Sequence, residues 1–195
     1  GRQEEVRNDL LAGKSPAGLE PVQARGGNLY FRTRAGAEGL FSKTNPRNTA
    51  WAKTTFYAPK AGTMYAMVGF DAPARSTRRC SGVPAAGEWS QCGTRIWVNG
   101  KEVKNPQTYK LAGQRRYEKH TWNSPDNEIS FDNEEFWWAR PPIPFQVKAG
   151  ENTILIEQPY TGNFQSWGVS FIPVKKSGDR WIADPSYYLK NKGEK

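Results

Sequence analysis

One histidine and a cluster of carboxylates are the residues of this sequence whose types suit acid–base catalysis. His120 lies in a polar stretch, Glu118-Lys-His-Thr-Trp122, that carries no Gly-x-Ser-x-Gly nucleophile motif. Asp132, Glu134 and Glu135 lie between two short apolar runs, where neighbouring acidic residues are typical of a solvated turn. Catalysis by paired carboxylates needs two environments that separate their pKa values. The pattern points to neither environment, so we expect a chain without catalytic activity of its own.

The aromatic residues suit a different chemistry, the binding of sugars. Pyranose rings present flat C–H faces that stack on exposed Trp or Tyr, while polar side chains bond to the hydroxyls. Most of the eight Trp and eight Tyr are expected in the core, because large aromatic residues dominate sandwich interiors. The long polar connection over residues 105–128 is better placed for binding, since loops on a rigid scaffold often carry binding residues.

Two neighbouring tryptophans add to this expectation. Trp137 and Trp138 follow each other on one predicted strand, so their side chains point to opposite faces, and one of them is exposed or lies under another element. The alternative for the loop aromatics is surface packing against an adjoining domain. The predicted carbohydrate-binding residues are Trp122, Trp138, Tyr109, Tyr117 and Arg116.

The two cysteines predict a disulfide. Cys80 and Cys92 flank Ser-Gly-Val-Pro-Ala-Ala-Gly-Glu-Trp-Ser-Gln, a loop whose Gly and Pro content lets its ends meet. Disulfides are typical of exported proteins, and two free thiols are the alternative. A zinc site is disfavoured, because two cysteines and one distant histidine do not provide the usual four-ligand spacing.

Length and charge limit the class of protein. A chain of 195 residues suits one domain and is too short for a (β/α)₈ barrel, which takes roughly 250 residues. The net charge of +9 is scattered, and its densest pieces, residues 75–79, 114–119 and 190–195, lie in no recognised RNA motif, so we expect solvated loops rather than a nucleic-acid partner. No apolar run approaches the roughly 20 residues of a membrane span. Because the chain starts at Gly1 and its first methionine is Met64, we expect an excised or processed piece.

Short β-rich runs bounded by Gly and Pro predict an antiparallel all-β sandwich. Asn99-Gly100 between two such runs predicts a type I′ hairpin, and residues 50–57 and 63–70 are predicted to form another hairpin. Residues 152–157 are apolar on both faces, which indicates a central strand. A short helix is expected over residues 4–11. The predicted strands are residues 29–33, 50–57, 63–70, 94–98, 101–103, 128–131, 136–138, 143–147, 152–157, 167–174 and 180–182.

Several motifs in order along the chain carry a family resemblance. They are Leu29-Tyr-Phe-Arg, Thr49-Ala-Trp-Ala-Lys-Thr-Thr-Phe-Tyr-Ala-Pro-Lys60, Gly87-Glu-Trp89, Gly93-Thr-Arg-Ile-Trp-Val-Asn-Gly-Lys-Glu-Val103, Ala139-Arg-Pro-Pro-Ile-Pro, Lys148-Ala-Gly-Glu-Asn152, Trp167 before an alternating strand, and Ile182-Ala-Asp-Pro-Ser-Tyr187. Together they resemble the C-terminal β-sandwich of secreted bacterial β-N-acetylhexosaminidases of glycoside hydrolase family 20. The resemblance covers roughly residues 28–188. Because Trp89 matches a family position, the resemblance implies that this residue packs beneath the loop between Cys80 and Cys92.

The resemblance implies a galactose-binding-domain-like jelly roll outside the catalytic barrel, in a secreted, periplasmic or cell-surface protein. That family's catalysis depends on an Asp-Glu pair, and no Asp precedes Glu directly here. The implied function is a non-catalytic accessory module whose partners are carbohydrate or the catalytic domain of the same protein. An independent carbohydrate-binding module of a cell-surface glycan-capture protein is the alternative.

No cofactor is expected apart from the structural Ca²⁺ that such sandwiches often hold, for which the candidate ligands are Asp126, Asp132 and Asn133. The expected organisation is a lead-in strap over residues 1–27, a β-sandwich over 28–188 and a basic tail over 189–195.

The predicted disulfide gives a direct test. Under denaturing, non-reducing conditions, thiol labelling should find neither Cys80 nor Cys92 reactive. The Cys80→Ser/Cys92→Ser double variant should lower the free energy of unfolding by about 3 kcal/mol, because a short closed loop restricts the unfolded chain. Labelling of both thiols in the unreduced protein would contradict the disulfide.

Overall fold

A computed structural model describes residues 1–32, 39–41, 49–71, 85–90, 93–107, 142–159 and 167–188. These residues form two antiparallel β-sheets and one short helix, so the predicted all-β sandwich class is confirmed. The elements in chain order are α1 (Arg2–Leu11), β1 (Asn28–Arg32), β2 (Thr49–Ala58), β3 (Gly62–Asp71), β4 (Arg95–Val98), β5 (Lys101–Val103), β6 (Ile143–Val147), β7 (Gly150–Pro159), β8 (Trp167–Ser177) and β9 (Arg180–Ala183).

The strands divide into sheet I, in the order β1-β8-β3-β6, and sheet II, in the order β2-β7-β4-β5. Strands β1 and β9 both pair with the same edge of β8. Strand β1 pairs with residues 167–170 and β9 with residues 174–177. Strand β7 pairs with β2 on one side and β4 on the other. The prediction that residues 152–157 lie mid-sheet is therefore confirmed.

The inner faces of the two sheets meet in one apolar core. Sheet I contributes alternate residues of β3, Met64 to Phe70, and sheet II contributes Ile96, Ile154 and Ile156. Phe31, Phe145, Met64 and Ile96 are among the most deeply buried side chains. Burial of side chains this large is the main favourable term in the folding of such a domain.

The predicted hairpin of residues 50–57 with 63–70 is wrong. Strand β2 pairs with β7 in sheet II, whereas β3 pairs with β6 and β8 in sheet I. The short connection after Pro59 therefore carries the chain from one sheet to the other, across a gap of about 10 Å. Alternating burial in both strands is compatible with either arrangement, since each strand shows one row to the core whether the two lie side by side or face to face.

A second crossing lies next to the first. Strand β6 belongs to sheet I and β7 to sheet II, so the predicted turn at Ala149-Gly150 also joins the two sheets. In the ladders, Ala58 pairs with Gly150 and Gly62 pairs with Val147. The two crossings thus close the same end of the sandwich.

The Asn99-Gly100 hairpin is confirmed. Val98 pairs with Lys101, and both turn residues have positive φ, 50° at Asn99 and 79° at Gly100. A type I′ turn requires this combination, and Asn and Gly are the residues that adopt it at least cost. The turn is also tied to the neighbouring strand, because the Asn99 backbone N–H donates to the Thr153 carbonyl at 2.9 Å and the Thr153 N–H donates to Asn99 Oδ1 at 3.0 Å.

The side chain of Asn152 joins this hairpin to the β6–β7 crossing. It is 1% exposed. Its Nδ2 donates to the carbonyls of Lys148 and Gly150 at 2.8 and 2.9 Å, and its Oδ1 accepts from the Lys148 N–H and from Asn99 Nδ2 at 3.0 and 2.8 Å. A buried amide with four partners satisfies its full hydrogen-bonding capacity. Two motifs that are distant in sequence are therefore one structural unit.

Other motifs also build turns and packing. Trp89 is buried, stacks on Phe145 with ring centroids 5.9 Å apart and donates from Nε1 to the Val103 carbonyl at 2.8 Å, as its predicted packing role requires. Gly168 allows β1 and β8 to approach closely, because a Cβ at this position would lie 2.6 Å from the Leu29 carbonyl oxygen. Asp184 accepts from the Ser186 N–H and hydroxyl at 3.1 and 2.7 Å, which fixes the turn after β9.

The C-terminal segment reaches back to sheet II. Tyr188 forms an isolated bridge with Tyr57 on β2, and the two rings stack with centroids 5.7 Å apart. Tyr187 contacts Phe56 at a centroid separation of 6.2 Å. The predicted strands 128–131 and 136–138 and the basic tail 189–195 lie outside the described residues.

The Asn152 network predicts a large loss of stability on truncation. Asn152→Ala should lower the free energy of unfolding by about 2–4 kcal/mol, because the Lys148 N–H and the Lys148 and Gly150 carbonyls lose their partner. Urea unfolding measures the change. Gln146→Ala, at an exposed position of β6, is the control and should change stability by about 0.5 kcal/mol or less. Equal effects of the two variants would contradict the structural role of Asn152.

Candidate functional site

The residues predicted from the sequence to bind sugar, metal or each other lie outside the described residues. This applies to the sugar-binding set, to the cysteine pair and to the calcium ligands, so each of these assignments stays a prediction. They are Trp122, Trp138, Tyr109, Tyr117, Arg116, Cys80, Cys92, Asp126, Asp132 and Asn133.

The outer face of sheet I carries an aromatic pair, in which one ring is exposed and the other is half-buried. Tyr65 on β3 points away from the core because its neighbours Met64 and Ala66 point into it. Tyr65 is 41% exposed, and its ring contacts that of Trp181 on β9, with centroids 5.2 Å apart and planes inclined by 44°. Val174 pairs with both Tyr65 and Ala183 and is itself buried. The register of three strands therefore brings two aromatic rings, distant in sequence, to one surface.

Polar groups border the aromatic pair. Lys176 pairs with Trp181, and its Nζ lies 5.3 Å from the Trp181 ring centroid. Thr63 lies two residues before Tyr65 on the same face and accepts at Oγ1 from Gln146 Nε2 at 3.1 Å. The ammonium, hydroxyl and amide groups are exposed. They offer hydrogen-bond donors and acceptors beside the rings.

An apolar band continues from the pair across the sheet. Met67 pairs with Ile172, and Tyr65 pairs with Pro144, all on the outer face and partly exposed. Tyr30 on β1 is 49% exposed. The face is therefore a broad aromatic and aliphatic surface. Its polar border is formed by Thr63, Gln146 and Lys176. We call the surface formed by Tyr65, Trp181, Lys176, Thr63 and Gln146 the sheet I platform.

The outer face of sheet II is covered instead. Helix α1 lies on it, and Val6 is buried together with Trp97 and Leu155, neither of which belongs to the core between the sheets. The Arg7 guanidinium lies 5.5 Å from the Trp97 ring centroid and 6.0 Å from that of Trp51. At these distances a cation is attracted by the negative faces of the rings.

A buried carboxylate holds the same guanidinium. Arg7 Nε donates to Glu157 Oε2 at 3.1 Å, and Nη2 donates to both carboxylate oxygens, at 3.1 Å and 2.9 Å. The Glu157 side chain is 8% exposed and that of Arg7 is 19% exposed. A planar guanidinium matches a carboxylate in this way, which a lysine cannot do. Lys53 adds a contact from its Nζ to the Leu10 carbonyl at 2.6 Å, where a cation complements the helix C-terminus.

The network extends along β4 and β5. Arg95 donates from Nε and Nη2 to Glu102 at 3.0 and 2.6 Å, and its guanidinium lies 4.7 Å from the Trp97 ring centroid. Lys104 Nζ lies 3.0 Å from Glu102 Oε1. Hydrogen bonding to Arg95, followed by that to Lys104, lowers the pKa of Glu102 to about 2 against a desolvation effect that raises it. The same pair raises the pKa of Arg95.

The described residues form neither a metal site nor a membrane-spanning helix. No group of three His, Cys, Asp or Glu side chains there could hold a metal ion. No helix among the same residues is long and apolar enough to cross a bilayer.

The chain matches no protein-family model, no curated protein and no solved structure. The resemblance to the hexosaminidase module therefore rests on the sequence motifs alone. Most of the motifs that the structure describes build turns, strand pairs and core contacts, which are features of a fold rather than of a reaction.

Sequence reasoning missed both outer-face clusters. Tyr65 had a usable signal, because the alternation in residues 63–70 places it opposite Met64 and Ala66. Trp181 had no comparable signal, since only the β8–β9 pairing brings it to Tyr65. Arg7 and Glu157 are 150 positions apart, and no local pattern connects them.

The Glu102 pKa predicts an acid-dependent loss of stability. Its folded-state pKa of about 2 lies below the reference value of 4.5, so the Arg95–Glu102 pair stabilises the fold fully above pH 4.5 and loses this effect as the pH falls towards 2. Because both side chains are partly exposed, solvent screening leaves about 1 kcal/mol. Wild type should exceed Glu102→Gln in unfolding free energy at pH 7, and the gap should narrow only as the pH falls below about 4.5 towards 2.5. An unchanged gap would contradict this assignment.

Proposed function

We propose that this chain is a non-catalytic accessory β-sandwich of a secreted glycoside hydrolase, of the β-N-acetylhexosaminidase type, and that it binds carbohydrate on the sheet I platform. The contact between Tyr65 and Trp181 carries the proposal. It places the exposed ring of Tyr65 against the half-buried ring of Trp181 at the surface of one sheet.

The chemistry of the platform suits a sugar ring. A pyranose has an apolar C–H face that fits an aromatic ring, and hydroxyls around its edge that need donors and acceptors. Tyr65 and Trp181 supply the rings, and Lys176, Thr63 and Gln146 supply the polar groups. Since strands hold all five residues, little ordering is needed on binding, which reduces its entropic cost.

The geometry also limits the affinity. The platform lies on the face of a sheet, where a sugar ring remains partly solvated, and deep enclosure is what gives small ligands high affinity. A dissociation constant of about 0.1–1 mM is expected, equivalent to about 4–5.5 kcal/mol of binding free energy. Such affinity suits a module that raises the local concentration of a polymer for a linked enzyme.

The apolar band beside the platform supports the accessory role. Met67, Ile172 and Pro144 are partly exposed on the same face, and a contiguous apolar surface is typical of contact with another protein domain. The alternative is an independent carbohydrate-binding module of a cell-surface glycan-capture protein. The polar border around Trp181 supports this alternative, because such groups contribute little to an apolar domain interface.

Glycan titration tests the platform. The chain should bind members of a panel of β-linked N-acetylglucosamine oligomers and host glycans in calorimetry, and Trp181→Ala and Tyr65→Ala should each weaken binding at least tenfold, because a stacking ring is lost. Tyr188→Ala is the matched control, since Tyr188 is 55% exposed and lies against sheet II. Circular dichroism checks that each variant folds.

The outcomes separate the candidate functions. Binding that survives both platform variants would place the sugar elsewhere, for example on the predicted residues around Trp122. Absence of binding at millimolar ligand would leave only the domain-contact role. Release of a chromogenic group from an N-acetylglucosaminide by this chain alone would contradict a non-catalytic module.

A further inference from the structure

Helix α1 contacts sheet II as a ligand contacts a receptor. Among the described side chains of the helix, Arg7 makes the directional contacts, with its guanidinium near two indole rings and hydrogen-bonded to both oxygens of Glu157. Val6 is the buried apolar residue of the helix. The helix thus shows what this surface binds, which is an arginine side chain beside a small apolar residue.

The helix depends on the surface for its stability. It has 10 residues, and within the described part of the chain no side-chain hydrogen bond caps its N-terminus; its last turn carries no basic residue. Helices shorter than about 12–15 residues are marginal in water without tertiary contacts. When α1 leaves the sheet, it therefore loses most of what keeps it helical.

The surface, in contrast, is built without the helix. Trp51 and Arg95 both pair with Glu157 in the ladders of sheet II, and Trp97 pairs with Leu155. Arg95 Nη1 lies 3.9 Å from Glu157 Oε2 and its guanidinium lies over Trp97. After α1 leaves, Glu157 keeps a cationic neighbour and the strands keep their register, so an empty receptor surface remains.

The connection to β1 gives the helix reach. Residues 12–27 are mostly exposed, and fully extended they span on the order of 50 Å, enough to bring α1 to another molecule. In one chain this connection also keeps the helix at a high effective concentration, in the millimolar range for flexible linkers. The contact of α1 with sheet II of its own chain is therefore favoured in dilute solution. A contact of α1 with sheet II of another chain would involve the same residues.

We propose that the outer face of sheet II is a receptor for the Arg7-bearing helix and that two copies of the chain exchange α1. Arg7 of one chain then binds Glu157, Trp51 and Trp97 of the other. Each copy supplies the residue that completes the other's site. This exchange retains the contacts of α1 with sheet II, which is why swapping an identical element between two copies is a low-cost route to a dimer. It is independent of the proposed carbohydrate function.

Complementation between two full-length variants tests the exchange. Arg7→Ala retains the receptor surface and weakens its own helix, whereas Glu157→Gln retains the helix and weakens its own surface. Neither variant can form the Arg7–Glu157 contact alone, but an equimolar mixture can form one such contact between chains. The mixture should therefore give a species with the mass of two chains in sedimentation velocity, with an affinity at least tenfold higher than that of either variant for itself.

Two further variants make the result decisive. Trp51→Ala replaces Glu157→Gln as the surface-defective partner if circular dichroism shows that the latter does not fold. Helix donors carrying Arg7→Lys should associate at least tenfold more weakly than those with Arg7, because an ammonium lacks the planar fork that matches the carboxylate. If the folded variants remain monomeric on mixing up to about 1 mM, or if Arg7→Lys associates as tightly as Arg7, the exchange is wrong.

Discussion

The buried carboxamide of Asn152 is the constraint on which most of this fold depends. It lies near the start of β7, the strand between β2 and β4, and there it satisfies the backbone of the crossing from sheet I. Its contact with Asn99 also fixes the β4–β5 hairpin against the same strand. Because an amide left unpaired at this depth would cost several kcal/mol, the two turns must form together. The relative position of the sheets is thereby set at one end of the sandwich.

The two outer faces of the sandwich carry similar residues but differ in what covers them. Each has tryptophan beside a cation: Trp181 beside Lys176 on sheet I, and Trp97 beside Arg95 on sheet II. On sheet II, the carboxylate of Glu157 binds Arg7, and the helix that carries Arg7 covers part of this face. On sheet I the polar neighbours described are a hydroxyl, an amide and an ammonium, which interact with neutral ligands as readily as with charged ones. Among the described residues, the buried carboxylate of Glu157 is thus one difference between the face that α1 contacts and the sheet I platform.

Much of the strand pattern could be predicted from the sequence, because turn chemistry and alternation are local properties. Asn99-Gly100 and the doubly apolar run in β7 are examples, and both were correct. The pairing of β2 with β3 was wrong, since a short connection after Pro59 fits either a hairpin or a crossing between sheets. The contact of Arg7 with Glu157 was beyond prediction, because it depends on the final position of a helix relative to a distant strand. For the site, Tyr65 was accessible through alternation, whereas its partner Trp181 depends on the β8–β9 register.

Both ends of the described chain span the two sheets. At the N-terminus, α1 lies on sheet II while β1 extends the edge of sheet I; at the C-terminus, β9 belongs to sheet I while Tyr188 bridges to β2 of sheet II. A tensile force applied at the two ends would therefore load the Arg7–Glu157 contact and the Tyr57–Tyr188 bridge before it reached the interior ladders. These peripheral contacts would break first, and the apolar core between the sheets would stay packed while the two ends extend. Under such a load, the contacts at the two ends of the described chain would break before the strand pairs of the two sheets.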